Sequence, residues 1–254
     1  MTEHSPPLSL AGGFPPASDA AWRSLVDKVL KGGDFQRRLV AHTADGVPIA
    51  PLYTRESRVA IEVPGREPEA PGGWDIRQRH GEPDASATNA AILADLEGGV
   101  TSIVLQIEAP GQSGVGYTAG EMRRALEGVL LDVCPVALDA AEYTVDAAGS
   151  LMAIWRERGI APAECRGAFG YDPLGTLART GALYNPLPKA LATAAHLVRD
   201  AAGMPAVSAL LADGRPYHAA GASEGQELAA VLATLVAYLR AAEGAGLAPD
   251  TALP

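Results

Sequence analysis

Five strand-like runs alternate with five helix-like runs between residue 74 and the end of the chain. The strand-like runs are WDIRQR (74–79), VTSIVLQIEA (100–109), CPVALDA (134–140), RGAFGYD (166–172) and MPAVSALLAD (204–213). The helix-like runs span residues 85–97, 118–131, 144–158, 187–202 and 223–243. This regular alternation predicts an α/β fold with a parallel sheet and right-handed helical crossovers.

Two closures of such a sheet are open at this point. A doubly wound sheet that binds a nucleotide carries a glycine-rich turn after its first strand, but RQRHGEPDAS (77–86) holds a single glycine. The nearest match, GQSGVG (111–116), follows the second strand and favours a flexible loop. The alternative is a (β/α)8 barrel of the TIM type, here incomplete with about five βα units. That arrangement leaves two strand edges unpaired, which soluble proteins normally avoid.

The front of the chain has a different pattern. SDAAWRSLVDKVLKGG (18–33) predicts a helix that Ser18 caps and two glycines end. FQRRLVAHTADGVPIAPLYT (35–54) predicts a hairpin with its turn at Asp45-Gly46, and residues 55–73 predict a connecting loop. We therefore expect an N-terminal arm and linker over residues 1–73 and a partial barrel over residues 74–254.

Composition restricts the classes of partner. A net charge of −10 argues against nucleic acid and against an anionic membrane surface. No apolar run reaches the length of a membrane span, and the first residues lack the pattern of a signal peptide. Cys134 and Cys165 lie far apart and form no metal-binding pair, which favours buried thiols in a reducing compartment. These features predict a cytoplasmic protein.

Several segments resemble the methylmalonyl-CoA mutase family, and most closely its small, or beta, subunit. They are GVPIAPLYT (46–54), GGWDIRQRH (72–80), NAAILADLEGGVTSIVL (89–105), CRGAFGYDPLGTLARTG (165–181) and YHAAGASEGQELA (217–229). The resemblance is collinear over essentially the whole chain. It implies a (β/α)8 barrel, followed in the family by a cobalamin-binding domain, and a partner in the large subunit. The implied reaction converts methylmalonyl-CoA to succinyl-CoA through radicals from adenosylcobalamin.

The chain departs from the family pattern in its cobalamin region. It reaches APDTALP (248–254), where the sixth barrel strand would begin, so we expect the later barrel units and the cobalamin domain to be absent. The family's cobalamin-ligating DxHxxG motif is also missing from these 254 residues. The resemblance therefore implies adenosylcobalamin in the complex, with none bound by this chain.

The family's catalytic positions are eroded as well. The large subunit has a tyrosine shortly before its matching strand, but PGREPEAPGGW (64–74) has none, and Gly170-Tyr171-Asp172 replaces a Gln-Asn-Asp run. Arg179 corresponds to a substrate arginine only with a one-residue offset. The family's histidine aligns with Pro216, although a short gap would bring His218 there. Only Ile76-Arg77-Gln78 survives cleanly.

Each candidate residue has a functional and a structural interpretation. Arg77 and Gln78 suit a CoA phosphate or carbonyl, but a bracing role is favoured, as it is for Arg79 and His80. Asp172 precedes a proline and favours a helix cap over an acid–base role. Tyr217 and His218 are weak catalytic candidates, and Arg179 is a weak candidate for a thioester carbonyl. Asp139 and Tyr143 have no family role to transfer.

The expected function is that of a non-catalytic small subunit that stabilises the large subunit. Ala, Leu and Val alternate in AVSALLAD (206–213), which predicts a barrel interior filled by apolar side chains. Leucines at 228, 232, 235 and 239 give the last helix a broad apolar face, for which core packing is favoured over a subunit contact. The alternatives are an active acyl-CoA mutase with a separate cobalamin polypeptide, and a CoA-ester-binding protein.

Overall fold

The chain divides into two compact units, residues 1–65 and residues 66–254. The structure is a computed structural model that describes residues 17–54 and 75–248. The predicted connecting loop over residues 55–73 therefore lies outside the described residues.

The first unit begins with the predicted helix. Helix α1 covers Asp19–Leu30, and the hydroxyl of Ser18 accepts a hydrogen bond from the Ala21 amide. The predicted hairpin is present but shorter than expected, because Phe35–Leu39 form a second helix, α2. Its cap is Asp34, whose carboxylate accepts a 2.7 Å hydrogen bond from the Arg37 amide. Only the short strands β1 (Ala41–His42) and β2 (Pro48–Ile49) pair around the predicted turn.

The second unit contains all five predicted strands and all five predicted helices. Its strands are β3 (Arg77–His80), β4 (Ser102–Gln106), β5 (Val136–Asp139), β6 (Arg166–Tyr171) and β7 (Ala206–Leu210). Its helices are α3 (Ala85–Glu97), α4 (Ala119–Ala125), α5 (Thr144–Glu157), α6 (Pro173–Thr180), α7 (Leu187–Ala201), α8 (Arg215–Ala219) and α9 (Glu224–Gly244). Helix α4 is shorter than predicted, and the strands lose residues at their ends.

The sheet grows in chain order. Its strands follow the order β3-β4-β5-β6-β7, and every neighbouring pair is parallel. A doubly wound sheet would reverse direction at a switch point, and this sheet does not. The fold is therefore α/β and is consistent with an incomplete barrel of the TIM type, as predicted.

The two faces of the sheet differ in chemistry because side chains alternate along each strand. What we call the apolar face packs against the helices and contains Ile103, Leu105, Val136, Leu138, Val207 and Ala209. What we call the polar face holds the alternate positions, Arg77, Arg79, Ser102, Val104, Gln106, Ala137, Asp139, Ala168 and Ser208, which the strand register places side by side.

The expectation of an apolar barrel interior is wrong for this sheet. On β7, Val207 and Ala209 are buried in the core on the apolar face, whereas Ser208 is exposed on the other face. The alternating apolar residues of AVSALLAD thus serve the helix side. In a (β/α)8 barrel the helices lie outside, so the polar face is the one that corresponds to the barrel interior.

A bulge near the end of β6 sets the position of the residues that follow. The pairing of β6 with β7 shifts register between Ala168 and Tyr171, and Gly170 lies between them with a φ of 72°. A Cβ at position 170 would lie 2.7 Å from the carbonyl oxygen of Leu138, so glycine is required both by space and by backbone conformation. The bulge brings Tyr171 and Asp172 to the carboxyl end of the sheet.

Candidate functional site

Charged side chains meet at the carboxyl ends of β3, β4 and β5. The guanidinium of Arg79 forms an ion pair with the carboxylate of Asp139. The same Arg79 nitrogen, Nη1, donates a 3.1 Å hydrogen bond to Oε1 of Gln106. Gln106 is held in turn because its Nε2 donates to the Ser113 carbonyl at 2.7 Å. The register pairs Gln106 with Asp139, so three neighbouring strands contribute to one cluster.

The loop after β4 supports this cluster. The Nε2 of Gln112 donates to the carbonyl oxygens of Ile107 (2.9 Å) and Asp139 (3.0 Å), which joins the loop to β5. At Gly114 a Cβ would lie 2.4 Å from the Ile107 carbonyl carbon, so the backbone approach excludes any side chain. The segment GQSGVG is therefore a loop, and its hydrogen bonds and close packing hold it against the strand ends.

Asp172 organises the next strand end. As predicted, it caps α6, since its Oδ1 accepts a 2.9 Å hydrogen bond from the Gly175 amide. Its Oδ2 accepts from the Asp213 amide at 3.1 Å, and Oδ1 also accepts from the hydroxyl of Tyr238 on α9. Burial, together with that hydrogen bond, raises the pKa of Tyr238 above its usual range. One carboxylate thus ties together α6, α9 and the segment after β7.

A second ion pair follows β7. Asp213 and Arg215 lie 2.7 Å apart between Oδ2 and Nη2. Burial raises the pKa of Asp213, but hydrogen bonds from Arg215 outweigh this effect and hold the pKa below its usual value. The pKa of Arg215 is raised by its hydrogen bond to Asp213 and further by the charges of Asp139 and Asp172. The strand-end charges therefore act on one another across the sheet.

Two cavities adjoin these charges. A cavity of about 590 Å³ lies between the loops after β4 and β5 and the α6–α7 region, where Glu142, Tyr171 and Arg179 contribute to its wall. A much smaller cavity of about 30 Å³ lies among Asp139, Asp172, Arg179, Asp213, Arg215 and their neighbours. Arg179 borders both cavities, which is the location expected of a residue that contacts a ligand there.

The structure separates the two best-matched sequence candidates. Arg77 lies at the start of β3, where it pairs with Asp75 at 2.8 Å and donates to the Ser102 hydroxyl at 2.9 Å. Gln78 is the next residue along the strand, so its side chain projects toward the opposite face, beside Ile103 in the register. Arg77 and Gln78 are therefore not brought together. Arg79, for which the sequence favours a bracing role, is the arginine that reaches the strand-end cluster.

Tyr217 and His218 lie on α8, and each has its own surroundings. The Nδ1 atom of His218 is 3.0 Å from a carboxylate oxygen of Glu227, at a well-exposed position. Tyr217 borders a separate cavity of about 340 Å³ between α6 and α9, together with Leu174 and Ala230. Neither side chain is hydrogen-bonded to the Arg79 cluster or to Asp172 in the described residues. Both remain catalytic predictions only.

Each described histidine of the second unit has a charged neighbour. His80 is buried, and its Nε2 lies 3.5 Å from Asp95. His218 is held by Glu227, and Nδ1 of His196 lies 3.3 Å from Arg199. Within residues 17–54 and 75–248 we also find no group of three or more His, Cys, Asp or Glu side chains arranged to hold a metal ion.

No described helix is long and apolar enough to cross a bilayer.

A parallel sheet wound in chain order, with charged side chains at its carboxyl edge, defines an α/β protein of the TIM-barrel type. Comparison with known proteins then identifies the family. The sequence profile of methylmalonyl-CoA mutase matches residues 42–254. The chain therefore belongs to the methylmalonyl-CoA mutase family.

Individual relatives are similar to this chain over most of its length. The methylmalonyl-CoA mutase small subunit of Streptomyces virginiae is 40% identical over 96% of this chain and 41% of its own length. The small subunit of Propionibacterium freudenreichii subsp. shermanii is 32% identical over 92% of this chain and 38% of its own. The large subunit of Streptomyces virginiae is 26% identical. The chain spans about two fifths of the length of these curated relatives.

Proposed function

We propose that this chain serves as the small, non-catalytic subunit of an adenosylcobalamin-dependent methylmalonyl-CoA mutase. In this proposal, the isomerisation of methylmalonyl-CoA to succinyl-CoA takes place on the large subunit, and this chain stabilises that subunit. Residues 1–73 act as an arm and linker, and residues 74–254 act as the barrel portion. The buried thiols of Cys134 and Cys165 are in keeping with a reducing, cytoplasmic setting.

The observation that carries the proposal is the internal pairing of the polar strand ends. Arg79 is bound to Asp139 and Gln106, and the carboxylate of Asp172 accepts from two backbone amides and Tyr238. Groups that stabilise a transition state must have hydrogen-bonding capacity directed at the substrate. Here that capacity is used within the protein, which supports a structural role.

The last helix offers a surface for the partner. Leu228, Leu232 and Val236 are 58%, 50% and 43% exposed, and Leu235 is 37% exposed. Core packing within the described residues therefore does not account for this stripe. A large subunit that covers it would remove the apolar side chains from water, which is the usual source of affinity at a subunit interface.

Light scattering of this chain with the candidate large subunit tests the partner. We expect a one-to-one complex, and we expect Leu228→Glu with Leu232→Glu to weaken it at least about tenfold, because buried charge is costly. Leu130→Glu is the matched control, since Leu130 is 69% exposed but lies before β5. If both components stay separate, the subunit proposal fails.

The absence of a catalytic role has its own test in the assembled complex. We expect His218→Ala and Tyr217→Phe to leave turnover of methylmalonyl-CoA unchanged. A loss of turnover of about a hundredfold or more in an intact complex would instead place general acid–base chemistry on this chain, because such groups typically contribute at least that much.

A second function, binding of a CoA ester, is favoured by one observation. The cavity of about 590 Å³ has the size of a ligand pocket and has Arg179 in its wall. Calorimetric titration of CoA into the isolated chain tests this alternative. Binding heat that disappears in Arg179→Ala, but not in the exposed control Arg123→Ala, would favour ligand binding over the scaffold role.

A further inference from the structure

Three arginines and three aspartates form a balanced group at the carboxyl ends of the strands. Arg79 pairs with Asp139, Arg215 pairs with Asp213, and the remaining members, Asp172 and Arg179, border the same small cavity. The charges of Asp139 and Asp172 act on Arg215, and Arg179 acts on Asp213. Without the charge of Asp139, the group would have an excess of one positive charge.

Of the three aspartates in this group, Asp139 makes the fewest structural contacts through its carboxylate. Asp172 caps a helix and binds Tyr238, and Asp213 accepts a 2.9 Å hydrogen bond from the Arg215 amide. The side chain of Asp139, in contrast, contacts the guanidinium of Arg79 and borders the cavity of about 30 Å³. The carboxylate of Asp139 thus lies against the Arg79 guanidinium, next to this small cavity.

We propose that Arg79, Gln106 and Arg215 form a binding site for a small carboxylate, and that the side chain of Asp139 occupies it as an internal ligand. The guanidinium fork of Arg79 suits a carboxylate. Gln106 fixes the fork, because its Oε1 accepts from Nη1 while its own Nε2 is held by the Ser113 carbonyl. Arg215 borders the same small cavity as Asp139 and supplies a second positive charge there.

Because the Asp139 side chain occupies the site, a dissolved carboxylate is excluded from it. A carboxylate attached to β5, two strands away in the same sheet, has a far higher effective concentration near Arg79 than a dissolved anion. The wild-type site is therefore closed to acetate or formate at ordinary concentrations. Removal of the side chain at position 139 empties the space beside Arg79 and leaves the Arg79 guanidinium without its carboxylate partner.

The test is replacement of the deleted side chain by a dissolved carboxylate. We expect Asp139→Ala to melt at a lower temperature than the wild type, and sodium formate to restore part of the loss where sodium chloride at equal ionic strength does not. A ligand with three heavy atoms binds no tighter than roughly 1 mM, so formate is titrated well above that concentration.

Three variants make the result specific. Asp139→Asn fills the same space without the charge and should gain nothing from formate. Asp139→Ala combined with Arg79→Gln should lose the response, because the guanidinium is gone. Asp132→Ala removes an exposed carboxylate that precedes β5, at the other end from Asp139, and should not respond.

Each outcome decides the proposal. If formate stabilises the wild type or Asp132→Ala as much as Asp139→Ala, the effect is a general salt effect and the site is rejected. If Asp139→Ala folds and shows no response, the site is also rejected. If this variant folds only when formate is present, the proposal is supported, and if it folds in neither salt, the proposal is rejected. None of these results depends on the large subunit, so they are distinct from the tests of the subunit role.

Discussion

The two faces of the central sheet are made by adjacent residues but have different tasks. On β4, Ile103 and Leu105 are fully buried against the helices, whereas Val104 and Gln106 lie on the polar face and are only partly buried. The apolar face gains stability from removal of hydrocarbon from water. The polar face holds groups that are kept in place by pairing with one another. The apolar face therefore holds the fold together, whereas substitutions on the polar face should cost less stability.

The largest expected effect tests the comparison directly. Leu105→Ala should reduce the free energy of unfolding by about 3 kcal/mol, because it leaves a cavity in the core. Its neighbour Val104→Ala removes fewer atoms from a partly buried position and should cost below about 1 kcal/mol. Chemical denaturation of both variants measures the difference. Equal losses would show that the polar face is packed as tightly as the apolar face.

A smaller loss is expected for the partly buried helix cap at Asp172. Asp172→Ala removes the acceptor of two backbone amides and the Tyr238 hydroxyl, and should cost about 2 kcal/mol. Asp84→Ala is the matched control, since Asp84 caps α3 but is exposed, and its loss should be the smaller of the two. A loss at Asp172 no larger than at Asp84 would mean that its extra partners contribute nothing.

The smallest effect concerns pH and the buried His80. Burial lowers the pKa of His80, and the opposing charge of Asp95 does not compensate. The unfolded chain therefore binds a proton more readily, so the contribution of His80 is complete above its unfolded pKa of about 6.5 and declines as pH falls below that value. The melting temperature of the wild type should fall more steeply between pH 7.5 and pH 5.5 than that of His80→Phe. Parallel curves would contradict this assignment.

Much of the second unit was predictable because its signals are local. Helix α3 begins and ends where predicted, since Asp84 provides a cap and Gly98-Gly99 provides a stop. The same kind of signal exists at Asp34, but the apolar and β-branched residues that follow favoured a strand. Local signals fail there because a five-residue helix has too short a pattern to outweigh its neighbours.

The charged cluster at the strand ends was not predictable, because it depends on register. Arg79 and Asp139 are 60 residues apart and meet only when three strands align. The side of the sheet that each residue of β7 faces also depends on the pairing, so Val207 and Ala209 were assigned to the wrong face. Sequence alternation identifies two faces but does not say which one the helices cover.

The chain-order sheet has a consequence for biosynthesis. Each strand from β4 to β7 pairs with the strand of the preceding βα unit. Each unit can therefore dock on the one before it as it leaves the ribosome. The growing edge strand is then briefly unpaired at each stage, and the next strand to emerge is its nearest competitor for pairing. Translation order itself thereby guides the correct succession of strands.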